Sequence, residues 1–406
     1  MISAKKQVFI ALSYLLLASS LGIILRLFPV TNVEATYKYI IHTHSHIALL
    51  GWVYISLTTL LYHLFIKKNQ QKKFRNIFWA THFTILGMLF SFPFTGYALI
   101  SIIFSTLFLI CSYWFYFLFK RYNYLKKSSY VYKFINASLI FMTISSIGPW
   151  ALGIIMNTLG NTSSLYKNAI YFYLHFQYNG WFIFCLLGLF FYFLETIKAK
   201  VESSLISTFY KLMIISCILT LFLSFLWTKP NITIYILAAL GGIIQFVTFL
   251  KFYKIISTYK EQIIKKTSIN MVRLLKFIFF LLITKVVLQL LTSIPYFAEI
   301  TSQIKDFVIG YLHLVFLGIT SLSIFFFVYQ QKLLNLNKTG LIIFLVGFIL
   351  SESLIFYKGF CNWQQLSIIN NYYLILVIAS ALMPIGILSI FIKNIKPTFS
   401  SLKESL

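Results

Sequence analysis

Twelve apolar runs dominate this sequence and limit what it can fold into. Each run is about 20 residues or longer, enough for a helix to cross the hydrocarbon core of a bilayer. Because 60% of the 406 residues are hydrophobic and 10% are charged, no soluble domain could bury the apolar surface. The runs lie near 7–30, 40–66, 76–96, 97–119, 134–158, 168–195, 205–228, 231–253, 273–295, 307–330, 340–357 and 371–392.

These runs predict an all-α integral membrane protein with about twelve transmembrane helices, whose surface contacts the lipid bilayer. Residues 1–406 then form a single polytopic membrane domain, since the loops leave no room for a soluble one. The boundary between the third and fourth helices is the least marked, because only Pro93 and Gly96 interrupt the apolar sequence there.

The net charge of +26 follows the predicted topology. With the N-terminus inside, 27 of the 34 Lys and Arg residues fall at the N-terminus, in alternate loops or at the C-terminus. This is the positive-inside bias of membrane proteins. It predicts cytoplasmic N- and C-termini and accounts for the basic charge without a nucleic-acid partner.

A histidine followed five residues later by a glycine occurs three times, as His46 to Gly51, His175 to Gly180 and His313 to Gly318. The histidines are separated by 129 and 138 residues. Such a recurrence predicts three pseudo-repeated blocks of four helices, approximately 1–125, 126–260 and 261–406. It places the histidines on the second helix of each block, at similar depth, which is typical of a site built from repeats.

An imidazole inside a membrane is costly unless it is paired, and it commonly marks function. A neutral imidazole nitrogen is also a ligand for haem iron and for copper. In the cluster around His46, His42 lies four residues earlier on the same helix face, whereas His44 is about 200° away and faces another pocket. A glycine after the ligand would admit a flat macrocycle or a neighbouring helix. The alternative is that these histidines only form hydrogen bonds with adjacent helices.

These motifs resemble subunit I of the haem-copper oxidase superfamily, especially its nitric oxide reductase branch, and also the NnrS-like membrane proteins. The resemblance implies twelve helices in three arcs, with a b-type haem held by His46 and His313. It also implies that Arg26, at the end of the first helix, approaches that haem. A second site, for copper or a second haem, would use His175 and His44, with His42 as a further candidate metal ligand.

The sequence also departs from that family. Tyr311 occupies the position of the high-spin haem ligand, and Asn179 replaces the glutamate of the reductase branch. The seventh helix ends Phe225-Leu-Trp-Thr228 without the expected pair of histidines. The standard binuclear centre therefore cannot be assembled from these residues.

The resulting hypothesis is a membrane haem protein with a degenerate binuclear centre, which transfers electrons or handles nitric oxide or oxygen. The resemblance implies a bacterial inner membrane, and a quinol, a cytochrome or a partner subunit as electron donor. One alternative is an active oxidoreductase, similar to terminal oxidases or nitric oxide reductases, with a non-standard metal site at His44 and His175. Others are a twelve-helix secondary transporter and a scaffold without cofactor. Two further ionisable residues inside helices, Lys285 and Glu352, are expected to pair with each other.

Overall fold

Helix boundaries fall where polar residues or glycine interrupt the apolar runs. The boundary between the third and fourth helices, which the sequence marks least, is sharp in the structure. Gly96 adopts φ +59° directly after Thr95, and the next helix begins at Leu99. A positive φ favours glycine, which has no Cβ to clash with the backbone. The computed structural model describes the backbone of residues 3–403 and the side chains of residues 3–395.

Twelve helices in the described chain are long and apolar enough to cross a membrane, which confirms the predicted all-α integral membrane fold. Two short helices, Lys260–Lys266 and Pro295–Gln303, were not predicted. The twelve long helices are α1 Ala4–Leu27, α2 Tyr37–Phe65, α3 Lys68–Thr95, α4 Leu99–Tyr122, α5 Tyr130–Thr158, α6 Ser164–Thr196, α7 Ser203–Thr228, α8 Ile232–Thr258, α9 Ile269–Thr292, α10 Lys305–Gln330, α11 Lys338–Gln364 and α12 Tyr372–Lys403.

The chain divides into two compact units, and the division falls within α10. Unit 1 comprises residues 1–124 and 324–406. Within it α1 packs against α2 and α12, α3 packs against α4, and α11 packs against α12. The pair α11 and α12 approaches closely at Gly340 and Gly386, where an added Cβ on either would lie 2.8 or 2.5 Å from the carbonyl oxygen of the other. Small residues at a contact are typical of helices packed in membranes.

Unit 2 comprises residues 125–323. Within it α5 packs against α6, α7 against α8, and α8 against α9. The last of these helices, α9, packs against the part of α10 that follows His313. Consecutive helices therefore pack in pairs within each unit, α1 with α2, α3 with α4 and α11 with α12 in unit 1, and α5 with α6, α7 with α8 and α9 with α10 in unit 2.

The three histidine-bearing helices share a departure from regular α geometry. A π-helical segment begins directly after the histidine in each, at Ile47–Tyr54, Phe176–Phe182 and Leu314–Ser321. π-Helical turns are rare and occur frequently at functional sites. In each case the first helix of the block, α1, α5 or α9, packs on this segment.

These same helices are the most enclosed by protein. In the most apolar window of α2, α6 and α10, 83%, 78% and 72% of the residues are buried, against 28% to 44% in the other nine spanning helices of the described chain. The histidines therefore lie on the core helices and not on helices that mainly face lipid.

Candidate functional site

His46 ends the α-helical part of α2, and its own helix orients its ring. Its Nδ1 lies 2.8 Å from the carbonyl oxygen of His42, so Nδ1 carries the proton and donates it. The ring stacks on Phe92 of α3 with centroids 4.5 Å apart. The other nitrogen, Nε2, lies 3.4 Å from the hydroxyl of Tyr97, beyond the usual range for an O–H donor. A ring fixed through Nδ1 presents an unprotonated Nε2, which is the form that binds a metal.

The other two histidines of α2 lie in different surroundings. His42 contacts the Tyr97 ring edge-on at 4.6 Å, so it shares the α3 side with His46. His44 lies toward α1, where its Nδ1 donates to the carbonyl oxygen of Ala18 over 2.8 Å. Gly22 lies beside it, because an added Cβ there would come within 3.3 Å of the His44 ring. The two sides of α2 therefore carry separate histidine environments within unit 1.

The glycines that follow two of the histidines accommodate neighbouring helices. A Cβ on Gly51 would lie 2.6 Å from the Tyr14 ring of α1, and a Cβ on Gly180 would lie 2.6 Å from Phe141 of α5. Both distances are shorter than a side chain allows. From the sequence, these glycines could admit either a flat macrocycle or a neighbouring helix. The contacts show that they admit a neighbouring helix, the first of the block.

His175 is held at both ring nitrogens. Its Nε2 donates to the carbonyl oxygen of Cys217 on α7 over 2.8 Å, which leaves Nδ1 of the neutral ring as an acceptor. The side-chain amide of Asn179 donates to that Nδ1 over 3.2 Å. The ring is buried, with 1% of its surface exposed. For His175 to bind a metal ion, one of these two hydrogen bonds would have to break.

Lys285 of α9 belongs to the same buried cluster of unit 2. Its amine donates to Gln289 Oε1 over 2.5 Å, and it lies close enough to His175 and Cys217 to interact electrostatically with both. Glu352, the partner expected from the sequence, belongs to unit 1, and its pairing with Lys285 stays a prediction.

Arg26 has protein partners in unit 1. Its guanidinium donates to the hydroxyl of Ser380 on α12. It also interacts electrostatically with Glu352 of α11, which is 6% exposed. The side chain is therefore engaged by α11 and α12, and its role at a haem stays a prediction.

His313 and Tyr311 lie in the last turn of the α-helical segment Lys305–His313, and His313 is half-buried. The Tyr311 ring packs edge-on against Tyr178 of α6, with centroids 6.1 Å apart. Tyr311 thus extends the buried polar cluster of His175 and Lys285.

Two contacts could not be found from the histidine pattern. The hydroxyl of Tyr14 forms a 2.7 Å hydrogen bond with Nδ1 of His82, although the sequence gives His82 no special role. Phe92 and Tyr97 form the walls around His46, and only their position near Gly96 could have drawn attention to them. Aromatic residues are too abundant in this chain, with 44 Phe and 27 Tyr, for type alone to single them out.

The donor atoms of the described residues do not assemble a multi-ligand metal centre. No three His, Cys, Asp or Glu side chains converge in a way that could hold a metal ion in the part of the chain with described side chains. A single oriented imidazole, as at His46, is sufficient for a haem, whose macrocycle would itself supply four nitrogen ligands. It does not by itself fit a copper ion that needs several protein ligands.

The fold and these contacts define an all-α integral membrane protein with three buried, histidine-bearing core helices. Comparison of the chain with protein-family models and with curated proteins gives no match.

Proposed function

We propose that this chain is a membrane haem protein, a divergent relative of haem-copper oxidase subunit I, which transfers electrons or handles a diatomic gas such as nitric oxide or oxygen. His46 would be one of the residues that hold the haem iron in this proposal. His313 is the second, assigned from the resemblance of its motif. Such a haem would supply a one-electron redox couple.

The observation that carries the proposal is the geometry of His46. The bond from its Nδ1 to the carbonyl of His42 sets the tautomer, and the stack on Phe92 sets the plane of the ring. An imidazole oriented through its other nitrogen in this way is the usual arrangement of a metal-binding histidine. Its partner at Nε2, the Tyr97 hydroxyl, is far enough away to be displaced at small cost.

The shared π-helical segments support a role for all three core helices. A π-helical turn gives up the regular pattern of backbone hydrogen bonds, and such turns occur frequently at functional sites. In this chain each begins at the residue after a repeated histidine. That coincidence favours a cofactor protein over a scaffold.

Absorbance spectroscopy tests the proposal. The purified protein, expressed with sufficient haem, is expected to show a Soret band and a sharp α band in the reduced-minus-oxidised spectrum. His46→Ala and His313→Ala are each expected to abolish the α band. His63→Ala is the matched control, since His63 lies on α2 near its far end, and it should keep the wild-type spectrum.

Two outcomes would contradict the proposal. One is a wild-type protein that is folded, as judged by circular dichroism, but has no Soret band. The other is a spectrum that His46→Ala leaves unchanged.

A secondary transporter, the alternative from another class, would be expected to show unwound helix segments near the membrane midplane. Over their described lengths α2, α6 and α10 stay helical, through the π-helical segments included. No observation of this structure favours the transporter over the haem protein.

A further inference from the structure

The end of unit 1 at which α2 and α4 end and α3 begins is strongly basic. The sequence contains no Asp or Glu from residue 35 to residue 194. The exposed cations at this end form no ion pair within the described residues, so their charges are left to water, salt or an external anion. They are Lys67, Lys68, Lys72, Lys73, Lys120 and Arg121.

Two of these cations meet on one aromatic ring. The amine of Lys73 donates to the hydroxyl of Tyr122 over 2.6 Å and lies 4.4 Å from the centre of its ring. The guanidinium carbon of Arg121 lies 5.5 Å from the same centre. Contact with an aromatic ring holds a cation in place without neutralising it. Lys73 keeps two further N–H donors and the guanidinium of Arg121 has five, so both can bind an anion.

Backbone hydrogen bonds fix the two sides of this place to each other. The amide of Lys67, directly before α3, donates to the carbonyl oxygen of Tyr122 over 3.3 Å. The amide of Tyr124 donates to the carbonyl oxygen of Phe65, at the end of α2, over 3.0 Å. The end of α4 is therefore held beside the connection between α2 and α3, and joined helix ends present the two cations.

An exposed aromatic strip leads along α4 to the same place. Trp114 and Phe117 precede Arg121 by seven and four residues, so the three side chains share one face of the helix. Trp114 is 46% exposed and Phe117 is 65% exposed. On a membrane-spanning helix such a face contacts lipid, and Trp is enriched where the bilayer meets water. A ligand that follows this face to Arg121 is apolar along its length and anionic at its end.

We infer that Lys73 and Arg121, gathered on Tyr122, bind the headgroup phosphate of an anionic phospholipid whose acyl chains lie along Trp114 and Phe117. The phosphate oxygens accept charge-assisted hydrogen bonds from the amine and the guanidinium. A zwitterionic headgroup fits less well, because its own cation is repelled by the basic cluster. A free phosphate ion would gain nothing from the aromatic strip. The site lies outside the proposed haem function and does not depend on it.

Native mass spectrometry of the full-length protein, purified in detergent, tests the inference with added phosphatidylglycerol. We expect phosphatidylglycerol to bind about tenfold more tightly than phosphatidylcholine with the same acyl chains, and equimolar inorganic phosphate not to displace it. The double variant Lys73→Gln/Arg121→Gln should weaken binding of phosphatidylglycerol about tenfold. The matched control is Lys265→Gln/Lys266→Gln, which removes the same charge from exposed positions of unit 2 and should keep the wild-type affinity.

The inference is overturned if the two lipids bind equally well, if Lys73→Gln/Arg121→Gln keeps the wild-type affinity, or if the control weakens binding as much. Displacement of the lipid by equimolar inorganic phosphate would also overturn it, since the site would then bind a free anion. Should the double variant fail to fold, as judged by circular dichroism, Arg121→Gln alone takes its place. It is expected to weaken binding about threefold, and unchanged binding would count against the site.

Discussion

His46 and His175 occupy equivalent places in their helices, yet the two imidazoles are held in different ways. Each is the last residue before a π-helical segment, and each precedes a glycine by five residues. His46 is fixed at one nitrogen by the backbone of its own helix and has a distant hydroxyl at the other. His175 is bonded at both nitrogens, to α7 and to an amide of α6.

The difference shows that the repeated pattern specifies the backbone, while residues that the pattern leaves unspecified decide how each ring is held. The π-helical segment and the close approach at glycine occur in both blocks. The partner of the second nitrogen is a residue that the pattern does not specify, Tyr97 between α3 and α4 in one unit and Asn179 within α6 in the other. The contrast supports the proposed ligand role of His46, whereas the protein itself binds both nitrogens of His175.

Removing each imidazole should separate these roles, and it gives the largest expected effects. His175→Ala deletes a buried ring and both of its hydrogen bonds, which we expect to cost about 2–4 kcal/mol of stability, while any haem spectrum persists. His46→Ala should cost about 1 kcal/mol in haem-free protein, since its ring is less buried and its hydrogen bond is local, but should abolish the spectrum. Thermal unfolding of both variants measures the loss of stability, and absorbance spectra show whether the haem bands persist.

A more conservative variant guards against a His175→Ala protein that fails to fold. The amide of His175→Gln can still donate to the Cys217 carbonyl, so this variant should unfold at a temperature between those of the wild type and His175→Ala. The proposed division of roles fails if His46→Ala destabilises haem-free protein as much as His175→Ala does, or if His175→Gln loses the spectrum.

In both regions, a neighbouring helix approaches closely at the glycine that follows the histidine. Gly51→Ala and Gly180→Ala each place a methyl group 2.6 Å from a buried aromatic side chain, and we expect each to cost about 1–3 kcal/mol through overpacking. Gly153→Ala in α5 is the matched control, because nothing lies within 4 Å of its added Cβ. It should leave the unfolding temperature unchanged or raise it, since alanine favours helices by up to about 1 kcal/mol.

Equal losses of stability in Gly51→Ala and Gly180→Ala would mean that the two blocks pack alike. A clear loss at only one of them would show that the likeness of the π-helical segments does not extend to the energetics of packing. If Gly153→Ala lost as much stability as the other two variants, the losses would arise from the helix backbone and not from the contacts with Tyr14 or Phe141.

The sequence predicted the elements that follow from local pattern. The apolar runs located the twelve spanning helices of the described residues, and the faint interruption at Gly96 was a true helix boundary. The angular separation of His44 and His46 follows from helix periodicity alone, and the structure directs them to α1 and α3 respectively.

What the sequence could not predict depends on contacts between distant segments. The sequence offered Glu352 as a partner of Lys285 because the two are opposite charges in one block, but it gave no sign that Lys285 bonds to Gln289, one turn along its own helix. The hydrogen bond of His175 to the Cys217 carbonyl joins residues 42 positions apart, and no side-chain pattern marks a backbone acceptor. The π-helical segments also leave no distinct composition, since they contain ordinary apolar residues.

The smallest expected effects come from the groups that face the second nitrogen of each ring. Asn179→Ala removes a buried donor 3.2 Å from His175 Nδ1 and should cost about 1 kcal/mol, the usual net value of such a bond. Tyr97→Phe removes a hydroxyl 3.4 Å from His46 Nε2, where little hydrogen-bond energy remains, and should cost about half as much or less. Unfolding temperatures compare the two, and the α band of Tyr97→Phe should keep its intensity because the hydroxyl is not needed once Nε2 binds iron. If Tyr97→Phe proves the more destabilising variant and also weakens the α band, then the hydroxyl is an essential partner of His46, and the contrast between the two histidines is lost.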